Sequence, residues 1–267
     1  MMRHFLILLI LATLLAPASM MPVIAQEVPE VETIEKTVPA DVRGRVDVDF
    51  DIPITDRLSF TVNNELRFRN NLSRIDRNYL LGSLGYEVCD YFSVSAGYIF
   101  MSFLTQGQVW YDAHWEYRHR VFSDLKGQIE YGNWKFSLTE RPLVNIRAWG
   151  PDPDVLPKYE WIIRSKFKVD YEIPHTDLSP YFFTELSNTL NTGTYGGGAF
   201  IDRTRFSLGL KWDATDNFGM ELYYYFDIRN SRKVDDTHGS DGSVYTVYLT
   251  KQTQYVHVLG LSFNFGW

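Results

Sequence analysis

The chain has 267 residues and a net charge of −7, and 16% of its residues are aromatic. After about residue 25, no apolar run approaches the ~20 residues that a transmembrane helix needs, so a helical membrane protein is excluded. The acidic balance argues against nucleic-acid partners, because phosphate contacts need clustered Lys and Arg. The one cysteine, Cys89, excludes an internal disulfide framework and a cysteine-rich zinc site.

The N-terminal residues have the features of a secretory signal. Arg3 precedes an apolar run from Phe5 to Ala16, and small residues then lead to Ala25. A charged start, a short apolar segment and a small-residue site together predict cleavage after Ala25. Residues 1–25 are therefore interpreted as a signal peptide.

The rest of the chain divides into a short leader and one long patterned region. Residues 26–42 are acidic, interrupted by proline and weakly apolar, so they are predicted to form a flexible leader. Over residues 43–267, apolar and polar residues alternate almost everywhere, which is typical of strands with two different faces. The sequence therefore predicts one all-β domain over residues 43–267.

The alternating segments are longer than the strands of soluble proteins. They run about 10–15 residues, whereas soluble strands have about 5–6 and bilayer-spanning strands about 9–11. Their apolar faces are rich in aromatic residues that lie near short turns, which is the pattern of a girdle at a membrane interface. The candidate girdle residues are Tyr86, Tyr131, Trp134, Tyr171, Trp212 and Trp267.

Short and long connections alternate along the chain, as in outer-membrane barrels with short periplasmic turns and long external loops. Eleven alternating segments are visible, whereas single-chain bacterial barrels normally have even numbers. Residues 26–42 or 231–253 could supply a twelfth strand, and loss of the first segment would leave ten. We therefore predict a transmembrane antiparallel up-and-down β-barrel of about twelve strands, with ten as the alternative. The sheet must close because lipid offers no partner to an open edge.

Several stretches resemble one Gram-negative outer-membrane family. They are Leu58–Arg69, Tyr117–Arg120, Tyr171–Pro174 and Leu178–Leu190. The family is known only as domain of unknown function 2490, and the similarity covers roughly residues 43–267. It implies a barrel in the cell outer membrane, in contact with outer-membrane lipid, and no established activity. The last strand ends at Trp267 and resembles the C-terminal signal that the barrel-assembly machinery reads, although phenylalanine is commoner at that position.

The polar face of the strands carries charges of both signs, and this face points inward in a barrel. A water-filled passage with such a lining would select small polar solutes, whereas a salt-bridged interior would form a plug. Twelve strands favour the passage and ten favour the plug. The predicted lumen-lining residues are Glu65, Arg67, Arg69, Lys126, Glu130, Arg164, Lys166, Lys168, Asp170, Arg203, Arg205, Glu221 and Arg229.

These features predict a narrow passive channel for small polar solutes, with two alternatives. The first is a plugged barrel, either structural or acting through its external loops in adhesion or ligand binding. The second is a lipid-modifying or hydrolytic enzyme, for which His119 and Ser123 share a strand face, although the chain has no Gly-x-Ser-x-Gly elbow. No cofactor or metal site is predicted, because Asp235, Asp236 and Asp241 lack the spacing of a calcium loop.

Overall fold

The structure, a computed structural model, describes residues 30–105, 114–147, 157–193, 195–238 and 244–266, and these contain eleven strands. The first six are β1 (Glu30–Pro53), β2 (Leu58–Arg69), β3 (Arg74–Cys89), β4 (Phe92–Thr105), β5 (His114–Tyr131) and β6 (Trp134–Arg147). The others are β7 (Tyr159–Tyr171), β8 (Leu178–Thr189), β9 (Phe200–Thr215), β10 (Phe218–His238) and β11 (Val244–Gly266). In these residue ranges, no helix is long and apolar enough to cross a bilayer.

Each strand pairs in antiparallel fashion with the next along the chain, and the sheet closes into a barrel. The closing pair is different, because β1 and β11 run parallel, from Glu30 opposite Thr246 to Asp51 opposite Gly266. The predicted closed all-β barrel is confirmed. The described strands number eleven, however, rather than about twelve or ten. With an odd count, the first and last strands point the same way, so a fully antiparallel barrel could not close.

The two stretches considered for a twelfth strand lengthen existing strands instead. Residues 30–42 were predicted to be a flexible leader, yet they form the first half of β1, in which Glu30–Val38 pairs with Thr246–Gln254 of β11. Within the stretch 231–253, residues 231–238 extend β10 and residues 244–253 extend β11, and the two remain paired up to His238 and Val244. Pairing with a neighbouring strand thus outweighs the weak strand preference of these polar residues. Residues 1–29, which include the predicted signal peptide, lie outside the described residues.

One end of the barrel, called here the short-turn end, carries the compact connections. They comprise residues 54–57, 90–91, 132–133, 172–177 and 216–217. One of the three two-residue turns joins Tyr131 to Trp134, and in it Gly132 adopts a φ of 58°, a backbone conformation that residues with a side chain rarely adopt. The opposite end is called the loop end. There the β2–β3 connection is a tight turn in which the Ser73 amide donates to the Asn70 carbonyl at 3.2 Å.

Alternation along each strand separates an exposed apolar face from a packed interior. Leu125, Leu208 and Leu222 project outward and are 47%, 62% and 62% exposed. Inward-facing apolar side chains form two buried clusters. One comprises Tyr79, Ile99, Met101, Phe122, Leu143 and Ile162, and the other Tyr181, Phe183, Tyr223, Tyr225, Val256 and Val258. The interior is therefore filled by side chains across much of its width.

Inward aromatic rings lie over glycines of neighbouring strands. Tyr181 is opposite Gly209 in the register, and Tyr223 is opposite Gly260. A Cβ atom at either glycine would overlap the ring that covers it. Glycine is therefore required at these positions so that the rings can lie flat against the wall.

We expect Gly260→Ala to lower the free energy of unfolding by about 1–3 kcal/mol, because the added methyl group would displace the Tyr223 ring. Urea unfolding in detergent micelles, followed by tryptophan fluorescence, measures this change. The matched control is Gly82→Ala, where the new methyl group would meet Phe60 at an ordinary 3.7 Å. Equal losses in the two variants would contradict the close packing of Tyr223 on Gly260.

Candidate functional site in the barrel interior

The first group of interior charges is centred on Glu65 of β2. Its carboxylate accepts from Nη2 of Arg67 at 2.8 Å and lies 3.3 Å from Nη1 of Arg45. The Arg67 guanidinium also lies over the Tyr79 ring, 4.1 Å from its centroid. The Tyr79 hydroxyl accepts from Arg77 at 3.3 Å. One carboxylate and one aromatic ring thus hold several guanidinium groups together.

The second group is centred on Asp227 of β10, whose side chain has no solvent exposure. Arg205 donates to both of its oxygens, at 2.6 and 3.0 Å, and Arg229 donates at 2.7 Å. Glu185 accepts from Arg203 at 2.9 Å and lies 3.8 Å from Arg205. Bidentate and shared contacts of this kind are what a buried ion pair needs to offset its desolvation.

Tyrosine rings of β10 join the two groups along the inner wall, between β9 and β1. The Tyr225 ring lies 4.5 Å from the Arg205 guanidinium carbon and 5.2 Å from that of Arg45. Tyr223 stacks on Tyr225 with centroids 4.5 Å apart, and its hydroxyl donates to Asp47. We call the joined set the central network. It comprises Arg45, Asp47, Glu65, Arg67, Tyr79, Glu185, Arg203, Arg205, Tyr223, Tyr225, Asp227 and Arg229.

Between the central network and the short-turn end lies a cavity of about 420 Å³, which we call the vestibule. Asp170 in its wall accepts from Lys168 at 2.8 Å and from Lys211 at 2.9 Å. Arg141 donates to both oxygens of Asp124 at 2.6 Å. The cationic lining residues are Lys126, Lys135, Arg141, Lys166, Lys168 and Lys211. The vestibule wall is therefore richer in cations than in carboxylates.

More acidic residues surround a second cavity at this mouth, of about 490 Å³. It is lined by Asp51 of β1, by Asp213 of β9 and by Asp177 and Asp216 of the adjoining turns, and Asp213 also lines the vestibule. The basic residues of the vestibule lie mainly on β5, β6 and β7. Basic residues are thus concentrated on one part of the mouth and acidic residues on another.

The predicted lumen residues outside the central network have varied surroundings. Lys126, Lys166, Lys168 and Asp170 line the vestibule. At its rim, Glu130 pairs with Lys135 at 3.2 Å but is 63% exposed.

The other predicted lumen residues lie outside the vestibule. Toward the loop end, Arg69 lies 3.6 Å from Asp76 and donates to the Leu104 carbonyl at 3.1 Å. The Glu221 carboxylate accepts from the Tyr181 hydroxyl, and Nε of Arg164 is buried with no partner among the described residues.

The predicted girdle residues lie on the outer surface at the short-turn end. Tyr131 is 81% exposed beside its turn, and Trp134 packs on Tyr171 with centroids 4.6 Å apart. Tyr86 and Trp212 are also exposed near this end, and Trp267 lies outside the described residues. The sequence prediction did not include a second exposed set toward the loop end, which comprises Trp115, Tyr117, Tyr159, Trp161 and Tyr255.

Several members of the central network and the vestibule were missed by sequence reasoning. Arg45 and Asp47 lie on β1, next to the segment predicted as a leader, and Tyr79 and Arg141 occupy inward positions of β3 and β6. Their inward position on alternating strands was the available signal. It identifies a face but not the partner that a side chain meets across the lumen, which depends on the register of several strands.

The candidate enzyme residues lie away from this interior. His119 faces outward on β5, where its Nδ1 shares a hydrogen bond with the Tyr98 hydroxyl and its ring lies 5.7 Å from that of Phe100. Ser123 lies on the same outer face. Over the described residues, no group of three or more His, Cys, Asp or Glu side chains is arranged to hold a metal ion.

We expect Asp227→Asn to lower the free energy of unfolding by about 3–5 kcal/mol, because Arg205 and Arg229 would lose their buried counter-charge. The control is Asp235→Asn at an exposed position of the same strand, for which a change within about 0.5 kcal/mol is expected. Urea denaturation of both variants in the same micelles gives the comparison. A loss below 1 kcal/mol for Asp227→Asn would show that the buried pair is not a major source of stability.

The chain was compared with solved structures, curated proteins and protein-family models. A solved structure of the NanC porin matches with a TM-score of 0.45 and 15% identity, over 84% of this chain and 98% of that chain. No curated protein matches. The model of the family described as protein of unknown function (DUF2490) matches residues 46–238, which is more than half of the chain and confirms the resemblance found in the sequence. The chain therefore belongs to the DUF2490 family.

Proposed function

We propose that this chain is an outer-membrane β-barrel whose lumen is closed by the central network. It acts as a plugged barrel, structural or ligand-binding, rather than as an open channel. The observation that carries the proposal is the pair of ion groups around Glu65 and Asp227, joined by the Tyr225 ring. The short-turn end would face the periplasm, and β11 would be the strand that the barrel-assembly machinery recognises.

The outer surface supports the membrane location. Its polar side chains hydrogen-bond each other. Asn64 and Asn78 exchange two hydrogen bonds at 3.2 Å, and the Tyr224 hydroxyl lies 2.7 Å from Nδ1 of His257. Mutual pairing is what polar groups need where hydrocarbon offers no partner. Around them the outer face is apolar, with exposed aromatic residues toward both ends.

We expect Leu125→Arg to destabilise the lipid-inserted barrel by about 2–4 kcal/mol, because a charge near the bilayer midplane is costly on a lipid-facing position. Tyr131→Arg, at the short-turn end of the same strand, should cost only about 0–1 kcal/mol because its depth is interfacial. Chemical denaturation in phospholipid vesicles measures both values. Equal small costs would contradict lipid contact with this face.

The central network favours a plug over a passage for a geometric reason. Inward-facing side chains of β9, β10, β1 and β2 contact one another in series, and Tyr79 of β3 extends the series to Arg120 of β5, on the side of the barrel opposite β11. Arg45, Arg120 and Arg205 are only 8%, 9% and 6% exposed, so long side chains fill the lumen at this level. Ser207 and Val258, which lie behind these side chains, are 1% and 0% exposed. The diameter of a barrel grows with strand number, so a barrel of eleven strands is much narrower than the porins of about 16–18 strands that leave an aqueous channel.

Planar-bilayer recording tests the plug. The unaltered protein should give no conductance steps, whereas the double variant Arg67→Ala with Tyr225→Ala should, because it removes two of the long side chains that fill the lumen. The matched control is Leu66→Ala with Tyr224→Ala, which truncates the outward-facing neighbours on the same strands. Stable steps from the unaltered protein would contradict the plug and support a passage for small polar solutes.

A narrow passage is the second candidate function, and the vestibule is the observation that favours it. It forms a polar half-channel of about 420 Å³ that ends at the central network. Movement of the Arg67 or Arg205 side chain would be needed to extend it through the barrel. The same recording distinguishes the two candidates.

A further inference from the structure

Two ammonium groups in the vestibule have no ion pair within the described residues. They belong to Lys126 of β5 and Lys166 of β7, which flank Thr139 of β6 in one register row. Ser93 of β4 continues the row on the other side of Lys126. Lys166 lies 5.5 Å from the Phe183 ring, which contributes no full negative charge.

Of the four carboxylates that line the vestibule, Asp124 and Asp170 are engaged by other cations, whereas Glu172 and Asp213 are exposed near its outer rim. Asp170 accepts from Lys168 and Lys211, and Asp124 accepts two hydrogen bonds from Arg141. Glu185, opposite Lys166 in the register, is held by Arg203 and Arg205. The positive charge of Lys126 and Lys166 is therefore not compensated by a dedicated carboxylate.

Hydroxyl groups surround these two lysines. Ser93, Ser95, Ser137, Thr139 and Ser179 all line the vestibule. The backbones of β5 and β7 lie about 9–10 Å apart, two strand spacings, so their long side chains can reach one group placed over Thr139. Ammonium and hydroxyl donors converging on one point provide the hydrogen bonds that a tetrahedral oxyanion accepts.

We propose that the vestibule is a binding site for a small doubly charged oxyanion, a phosphate or a phosphate monoester. Lys126 and Lys166 contact its oxygens, and Thr139 donates from its hydroxyl. Two unpaired ammonium groups match a charge near −2, and the 420 Å³ cavity leaves room for a small esterified group. The site needs the folded barrel but does not depend on whether the central network is closed.

Calorimetric titration of the full chain with inorganic phosphate, in detergent micelles at low salt, tests the site. Phosphorus NMR line broadening provides a second readout. We expect saturable binding at one site and about tenfold weaker binding in each of Lys126→Gln and Lys166→Gln, since each removes a charge-assisted hydrogen bond. Thr139→Val, which keeps both charges, should weaken binding by a smaller factor.

Two controls separate this site from general electrostatic attraction. Lys233→Gln and Lys251→Gln each remove an exposed cation on the extensions of β10 and β11, outside the vestibule, so both should leave the affinity within about twofold. Urea midpoints of all variants report whether the barrel is intact. Absence of saturation by both readouts, or equal weakening by Lys233→Gln, would overturn the proposal. The titration is carried out in detergent micelles and does not measure conductance. Its result therefore does not depend on whether the bilayer recordings support the plug.

Discussion

The structure depends on one constraint, which is that every backbone edge must be paired. Ten antiparallel connections among eleven strands leave β1 and β11 pointing in the same direction, so the remaining pair can only be parallel. Parallel pairs are slightly less stable per residue than antiparallel pairs. Here the seam is long, from Glu30 opposite Thr246 to Asp51 opposite Gly266, so length offsets the weaker pairing. The extensions of β1 and β11 are therefore part of the closure.

Closure at eleven strands also sets what can occupy the interior. Arg45 of β1 and Arg205 of β9 lie three strands apart around the inner wall, and both reach the Tyr225 ring of β10. Charged side chains packed this closely cannot each keep a full hydration shell, so they must bind one another. The carboxylates of Glu65 and Asp227 each serve more than one guanidinium for this reason. Strand number and the central network are thus consequences of the same geometry.

Sequence alone predicted the strands well because the period-two pattern survives wherever one face meets an apolar medium. The alternating stretch Leu58–Arg69, for example, coincides with β2. The pattern fails in residues 30–42, 231–238 and 244–253, where polar residues on both faces hide strands that exist because a neighbour pairs with them. Eleven alternating segments are visible in the sequence. The prediction of about twelve strands departed from that count only because bacterial barrels normally have an even number.

The sequence predicts which face of a strand a residue occupies far better than which side chain that residue contacts inside the barrel. The pair of Lys168 with Asp170 follows from their spacing on one strand, but Lys211 reaches the same carboxylate from β9, through the register of two further pairings. The same difficulty hid Arg45 and Tyr79. The sequence can therefore predict that a charged side chain faces the lumen, but it does not predict whether an opposite charge pairs with it.

The two vestibule ammonium groups that lack an ion pair in the described part of the chain lie in the part of the lumen that water can reach most easily. In the central network a lone ammonium would carry a large desolvation cost, so the carboxylates there are shared among several cations. Lys126 and Lys166 instead line a cavity near the short-turn end, where water reduces the cost of lacking a carboxylate. The ion pairs that stabilise the barrel thus lie in the central network, and the lysines that we propose to bind an anion lie in the vestibule, nearer the short-turn end. Changes in the vestibule should leave the central network largely intact, since sites without shared partners behave almost independently.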